Sequence, residues 1–378
     1  MTKSPLVAAE PSQLGGEPAI APPLRVLASP ASMPPESNPY IDGLYGAIRA
    51  EGVIVDDFTR ARLLGRYDVI HVHWPEFLVR WNGGIIRGIT DALKVICLIS
   101  VARWRGARLV WTGHDLAPHE SRYPRLESAY LRAFFRRTDH LISLSKAGIE
   151  ALRAGQPEVR GAPASVVPHG HYRDHYPPAG DRAAARSALR ISGSGPLLLA
   201  LGMIRSYKNF PALVTAVRQV GGPDVQLAVA GAVFEPRLAD ELAAAKGDDP
   251  RIYLRLSRAS VAEVALWHAA SDVVTLPYTE GTTLNSGAAH LALSYDRPIV
   301  VRDTPTMREL RDLVGASWVY LYEGGPAEAV ALAIVAVSQE RPASCNLDAL
   351  NWAPLGRATV AVYHSATRRP RRTRRSAH

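Results

Sequence analysis

The sequence predicts an α/β protein of two Rossmann-like domains facing across a cleft. Short apolar runs alternate with helix-period segments between 24 and 176. The same alternation restarts at 196, after a stretch at 177–195 that holds two consecutive prolines. A length of 378 residues also suits two cores of about 150 residues each better than one.

In the first half, 24–28 (LRVLA), 53–58, 67–72 (YDVIHV), 107–112 (ARLVWT), 140–144 (HLISL) and 164–167 (ASVV) read as strands. Residues 39–52 have helical spacing, with Ile41, Leu44, Tyr45 and Ile48 on one side. A second helix is expected at 85–104, after the loop Asn82-Gly83-Gly84, because adjacent glycines are poor helix formers. Arg87, Asp91 and Lys94 fall on one face of it, and 95–99 is apolar all round. Two readings stand for this helix. It packs in the core, or it dips into a membrane interface, helped by Arg103, Trp104 and Arg105.

In the second half, strands are expected at 197–201 (LLLAL), 225–230 (VQLAVA), 252–256, 273–276 and 298–301. Helices are expected at 210–220, 237–246, 261–270 and 284–293. The chain therefore divides into a leader without fixed structure (1–23), a first domain (24–176), a linker (177–195) and a second domain (196–350). A C-terminal helix (351–366) and a basic tail (367–378) follow.

Of the net nine positive charges, six are arginines between 368 and 375, which leaves three for the rest of the chain. A nucleic-acid role would rest on that tail alone, and none is expected. A solvated end and attraction to anionic lipid are the readings that remain. Two cysteines, Cys97 and Cys345, are too few for a disulfide framework or a four-cysteine zinc site, and suit a reducing cytoplasm. The first 23 residues lack the apolar core of a signal peptide, and no run of about 18 apolar residues predicts a spanning helix.

Open parallel sheets bind ligands beyond the carboxyl ends of their strands, so the loops after strands carry the candidate chemistry. Gly202-Met203-Ile204-Arg205-Ser206-Tyr207-Lys208-Asn209 follows the first strand of the second half and leads into a helix. Oriented N–H groups and two cations there suit a diphosphate. The loop from Leu276 to Gly287, with Tyr278, Thr283, Asn285, Ser286 and Gly287, also runs from strand to helix. Its small polar residues are helix caps or part of the same anion site. Gly231 closes the next strand.

In the first half, His71-Val72-His73-Trp74-Pro75-Glu76 and the segment from Trp111 to Glu120 end two strands. His71 and His73 share a face if the strand continues. Acid–base work and contacts to sugar hydroxyls are expected there in preference to a metal. His169-Gly170-His171-Tyr172-Arg173-Asp174 lies where the first half ends.

These segments come in an order that resembles the bacterial β-mannosyltransferases of xanthan-type exopolysaccharide assembly. The matching blocks are NPY (38–40), LYGAI (44–48), RYDVIHVHWPEFLVR (66–80), GHDLAPHE (113–120), HGHYRDHY (169–176), GMIRSYK (202–208), VVTLPY (273–278), NSG (285–287) and WVYLYEGG (318–325). The resemblance spans about residues 24 to 366. It implies a GT-B fold, a GDP-mannose donor, inversion at the anomeric carbon and a polyprenyl-diphosphate-linked acceptor at the inner membrane face. It also places the nucleotide in the second half and the acceptor in the first, where Asn38, Tyr40, His73, Trp74, His169 and His171 become acceptor or cleft residues.

Three departures stand out. The retaining group of this fold carries two glutamates eight apart, the second seven residues before a proline. Counted back from Pro298 those positions are Leu291 and Thr283, with Glu280 out of register. Asp115 replaces an asparagine of the mannosyltransferase pattern, and the loop between Tyr278 and Asn285 is longer.

An inverting transfer needs one carboxylate to take the acceptor proton and positive charge to hold the leaving diphosphate. Glu120, Glu76 and Asp115 are the candidate bases, and His114 is assigned to sugar or acceptor contact. Arg205, Lys208 and the helix starts stabilise the leaving group, so neither metal nor cofactor is expected beyond the nucleotide sugar. The expected location is cytoplasmic, peripheral to the inner face of the membrane. A transferase using a UDP-sugar, or a non-catalytic sugar-binding or scaffolding protein, are the alternatives.

Overall fold

A computed structural model describes residues 22–34, 38–116, 122–279 and 284–368. In the first domain the elements are β1 (Arg25–Ser29), α1 (Tyr40–Ala50), β2 (Ile54–Asp57), β3 (Val69–Val72), α2 (Ile85–Trp104), β4 (Arg108–Gly113), α3 (Pro124–Phe135), β5 (His140–Ser143), α4 (Lys146–Gly155) and β6 (Ala164–Val166). The second domain follows with α5 (Arg182–Ala188), β7 (Leu197–Leu201), α6 (Phe210–Val220), β8 (Gln226–Ala230), α7 (Arg237–Lys246), β9 (Ile252–Arg255) and α8 (Val261–Ala270). It is completed by β10 (Val273–Leu276), α9 (Gly287–Ser294), β11 (Ile299–Arg302), α10 (Pro305–Val314), β12 (Val319–Tyr322) and α11 (Pro326–Ser338), and α12 (Trp352–Arg368) ends the described chain.

Each domain is built on one six-stranded parallel sheet, ordered β2-β1-β3-β4-β5-β6 and β12-β11-β10-β7-β8-β9. Burial on both faces explains why central strands such as β1, β4, β7 and β8 read as largely apolar runs. Leu27, Ile70, Leu109 and Leu141 point into one cluster, and Val26, Val69, Val110 and Ile142 into the other. In the second domain Leu197 and Leu199 alternate with Leu198 and Ala200 in the same way.

The strands expected from sequence match within two residues. The unread elements are α3, α4, α5, α10, α11 and β12. Residues 177–195, taken as a linker, contain α5. Its Asp181 N-cap accepts from the Ala184 N–H, and Arg186 bonds the Ala270 carbonyl and Asp272, so this helix is part of the second domain. The helix expected from 284 starts at Gly287, because the Ser286 hydroxyl caps it by accepting from the Ala289 N–H.

The C-terminal helix does not stay with the domain that precedes it. α12 packs on α1, with Trp352, Leu355, Val362 and Tyr363 in the core of the first domain. The Trp352 indole fills the space beside Gly43 and Gly170, where added side chains would meet it at 2.4 and 2.5 Å. The domains also meet at α4 and α10: Glu309 accepts from the backbone N–H groups of Lys146 (2.8 Å) and Ala147 (2.6 Å). These are two of the donors that a helix start leaves without an internal partner.

α2 has a buried face with Val95 and Ile99 and an exposed apolar stripe. Ile86 is 79% exposed, Leu93 66% and Trp104 77%, while Phe77, on the short turn Pro75–Leu78 beside the helix, is 77% exposed. Asp91 does not join Arg87 and Lys94 on an open face. It is buried and accepts from Arg80 (2.9 Å) and Arg60 (2.9 Å). Among the described residues no helix is long and apolar enough to cross a membrane. Nearly all of the leader and the tail lie outside the described residues.

Candidate functional site

A parallel sheet opens a crevice where its strand order reverses. In the second sheet that point lies between β7 and β10, and in the first between β1 and β3. The loops at these two points face each other. Gly287, at the start of α9, lies against Asn38 and Tyr172 of the first domain, where a side chain would meet them at 3.2 and 3.4 Å. Between them a cleft of about 560 Å³ is lined by Asn38, Tyr172, Gly202, Gly231, Arg258 and Gly287, among others.

On the second-domain side, the loop after β7 turns back over the sheet end. Ile204 bridges Val233, which ties it to the loop after β8. Gly202 has φ +125° and Gly231 φ +151°, left-handed conformations that favour glycine, and a side chain on Gly231 would run into the Gly202 carbonyl. Lys208 is buried, and a Cβ on Gly202 would stand 2.9 Å from its Nζ. Burial, with the Arg205 charge beside it, pulls the Lys208 ammonium down to about 8. The Arg205 guanidinium stacks on Phe234 at 4.3 Å. Glu235 braces the same loop, accepting from the Ser206 N–H (2.9 Å), the Ser206 hydroxyl and Arg237 (2.9 Å). Two cations, one desolvated, beside backbone that only glycine permits make a site for an anion.

On the first-domain side, His114 directly follows β4 and Trp74 follows β3. Their rings stack at 4.5 Å with 21° between planes. They line a small cavity with His73, Glu76, Asp115 and Trp111. His114 Nε2 pairs with His73 Nδ1 at 3.0 Å. Burial holds His114 down at about 4 and His73 well below the usual imidazole range, so both rings are neutral near pH 7. His169 stacks on His290 of α9 at 4.3 Å and meets Tyr172 at 3.1 Å, so it sits where the domains touch.

The structure gathers the sequence candidates into two groups. Gly202, Gly231 and Gly287 line the larger cleft, with Lys208 behind Gly202 and Arg205 on Phe234 in the same loop pair. Glu76, Asp115, His114, His73 and Trp74 surround the smaller cavity. Glu120 and Thr283 lie outside the described residues. Four candidates are not open ligands. Ser286 is buried as the α9 cap, with Tyr278 at 3.2 Å from its hydroxyl. Tyr278 itself is buried. His171 is buried against Asn351 at 2.6 Å and anchors the chain entering α12. Tyr40 is buried among His73, His114 and His169, edge-on to the first two. Asn38 accepts from the Tyr172 hydroxyl at 2.6 Å, and Asn285 lines a separate interdomain pocket of about 150 Å³. Phe234, Glu235 and His290 went unread. No spacing marks the first two, whose role comes from the bridge between two loops; His290 follows Ser286 by one helical turn.

Two family models match the chain. Glycosyltransferase Family 4 covers residues 22–175, and Glycosyl transferases group 1 covers 195–340. Two relatives from Xanthomonas campestris pv. campestris, each described as GDP-mannose:glycolipid 4-beta-D-mannosyltransferase, are 33% identical over 307 residues, 81% of either chain. Solved structures share the fold. A glycosyltransferase from Rickettsia africae superposes with a TM-score of 0.61 at 10% identity, covering 93% of this chain and 100% of that one. Sucrose-phosphate synthase from Thermosynechococcus elongatus gives 0.60 at 16%, covering 92% and 96%. Anabaena HepE in complex with UDP and glucose gives 0.59 at 16%, covering 90% and 98%.

Proposed function

This chain belongs to the GT-B mannosyltransferase family of those Xanthomonas relatives, and we propose that it moves mannose from GDP-mannose, with inversion, onto a lipid-linked oligosaccharide in exopolysaccharide or glycolipid assembly. That it is a hexosyltransferase follows from the family. The donor and acceptor are our reading, carried by one observation: the buried Lys208 ammonium, with the Arg205 charge near it, packed against Gly202, which lines the large cleft.

In this reading the donor diphosphate lies over Gly202 and Gly231, where the backbone comes close enough for Lys208 and Arg205 to reach it. Transfer builds negative charge on the leaving diphosphate, and a desolvated ammonium neutralises it more strongly than one in water. The sugar points across the cleft toward His114, Asp115 and Glu76. One carboxylate of the first domain, with Glu120 as a further candidate, takes the acceptor proton. In this reading Arg205 and Lys208 hold the leaving group in place of a metal.

The acceptor is a lipid, so the enzyme must work at a bilayer. The stripe of Phe77, Ile86, Leu93 and Trp104 lies on the acceptor-side domain, and exposed Arg87, Lys94 and Arg105 flank it. Shallow insertion there, aided by the arginine tail, supports peripheral attachment to the cytoplasmic face.

The test is nucleotide release from purified protein given GDP-mannose, UDP-glucose and UDP-N-acetylglucosamine, with and without bacterial lipid extract. Preferential turnover of GDP-mannose, with mannose recovered in the lipid fraction, supports the reading. Preference for a UDP-sugar replaces the donor, and no turnover of any of them favours a binding protein.

A further inference from the structure

Behind His114 lies a continuous row of buried polar groups that the transfer reaction does not touch. Thr112 Oγ1 meets His71 Nε2 at 2.7 Å. His71 Nδ1 meets the Tyr45 hydroxyl at 2.9 Å and the Tyr363 hydroxyl at 2.7 Å. The Tyr45 hydroxyl also meets His73 Nε2 at 2.9 Å, and His73 Nδ1 meets His114 Nε2 at 3.0 Å. Thr112, His71, Tyr45, Tyr363 and His73 are at most 1% exposed.

Four separate elements build this row. His71 and His73 lie two residues apart along β3 and its exit, and so share one face of the sheet. Thr112 stands on the neighbouring β4, Tyr45 on α1 and Tyr363 on α12. Apolar residues of similar volume would satisfy the core without the cost of dehydrating so many polar groups. The row ends at His114, which with His73 lines the small cavity of the first domain.

We propose that Thr112, His71, Tyr45 and His73 are positioning residues that fix the ring orientation and tautomer of His114, leaving its Nδ1 for a substrate hydroxyl. The proposal rests on the reading of this cleft as the transfer site. A neutral imidazole has one N–H and one lone pair, so each hydrogen bond in the row dictates the next. Two arrangements run unbroken through the row, and each ties the tautomer of His114 to those of His71 and His73. In one, His114 donates through Nε2 and offers a lone pair at Nδ1; in the other, Nδ1 carries the proton. Removing a hydroxyl from the middle uncouples the two ends, and both tautomers of His114 become available. The ring itself is held flat against Trp74, with the Tyr40 edge on it, and among the described residues Nδ1 has no hydrogen-bond partner. The ionisable groups facing it are Asp115, His73, His169 and Tyr40, with Glu76 in the same cavity.

The experiment uses full-length Tyr45→Phe and Thr112→Val, the second as an isosteric change in case the first weakens the fold. GDP release from GDP-mannose gives kcat and KM. Imidazole ¹⁵N signals from ring-labelled histidine, assigned with His114→Gln, report the tautomer. The expected result is a fall in kcat of about 10- to 100-fold at unchanged donor KM and Tm. That fall disappears in the His114→Gln background, and the His114 signals move toward a tautomer mixture. A kcat within twofold of the parent, an equal loss in the His114→Gln background, or unchanged His114 signals in both variants overturns the proposal. If the parent protein turns over no GDP-mannose, the functional reading fails, and the ¹⁵N signals still decide the role of the row.

Discussion

The ammonium of Lys208 stands where a side chain on Gly202 would begin, 2.9 Å from that Cβ position, and Gly202 holds φ +125°. A side chain there displaces the cation and strains the backbone together. Gly202→Ala is expected to weaken GDP binding about tenfold or more, as Lys208→Ala does. The double variant should bind little worse than either single one, because both remove one interaction. Calorimetric titration with GDP measures this, and independent additive losses would separate the two residues.

Lys208 also sets a pH dependence. Its ammonium is held down to about 8, against 10.5 for an ordinary lysine. The charge is lost as pH rises through the folded value, so GDP affinity should fall above about pH 8, by up to about tenfold per unit. Between 8 and 10.5 the unfolded chain binds the extra proton, so the ligand-free protein should gain stability from this group over the same interval. Opposite slopes of GDP affinity and ligand-free Tm, both flattened in Lys208→Met, are the expected pattern.

Asp91 anchors α2 through Arg80 and Arg60, whose guanidiniums hold its carboxyl well below the usual range. A depressed carboxylate contributes stability that is present above its unfolded value near 4 and lost as pH falls. Asp91→Asn should lower Tm by roughly 2–5 °C at pH 7. The difference from the parent should shrink toward pH 3 in thermal melts followed by circular dichroism.

If the protein attaches peripherally as proposed, the exposed stripe on α2 and the arginine tail should make separable contributions to bilayer binding. Replacing Phe77, Ile86 and Leu93 with Ser should reduce flotation with vesicles at all salt concentrations. Removing residues 369–378 should reduce it only at low salt and only with anionic lipid. Full-length protein that stays unbound to anionic vesicles at low salt would sink the peripheral model.

Chelation tests the leaving-group assignment. If Arg205 and Lys208 hold the diphosphate as proposed, GDP release should persist in EDTA. Activity lost on chelation and restored by Mg²⁺ or Mn²⁺ would mean that the leaving group is stabilised by an ion instead.

Much of the fold is legible because parallel strands buried on both faces leave apolar runs of four to six residues. Leu197 to Leu201 is one such run. α5 is not legible in that way: AAAR has helical propensity but no apolar stripe, and its place comes from the buried Arg186 reaching the Ala270 carbonyl. At the site, position in the chain points to Gly202, Arg205 and Lys208, since they follow the first strand of a Rossmann-like half. His171 and Ser286 look the same in sequence as residues that meet a ligand. Only packing shows that one anchors the path into α12 and the other caps α9. Tyr363 is illegible for another reason: it lies 292 residues from His71, the group it contacts.

That distance has a consequence for how the protein is made. The second domain leaves the ribosome as one continuous stretch, and its core is complete once Cys345, Leu347 and Leu350 have emerged. The first domain must wait, because Trp352, Leu355, Val362 and Tyr363 of its core follow the whole second domain in the chain. The half that appears first is therefore completed after the other, and Tyr363 joins the buried row leading to His114 only once α12 has emerged.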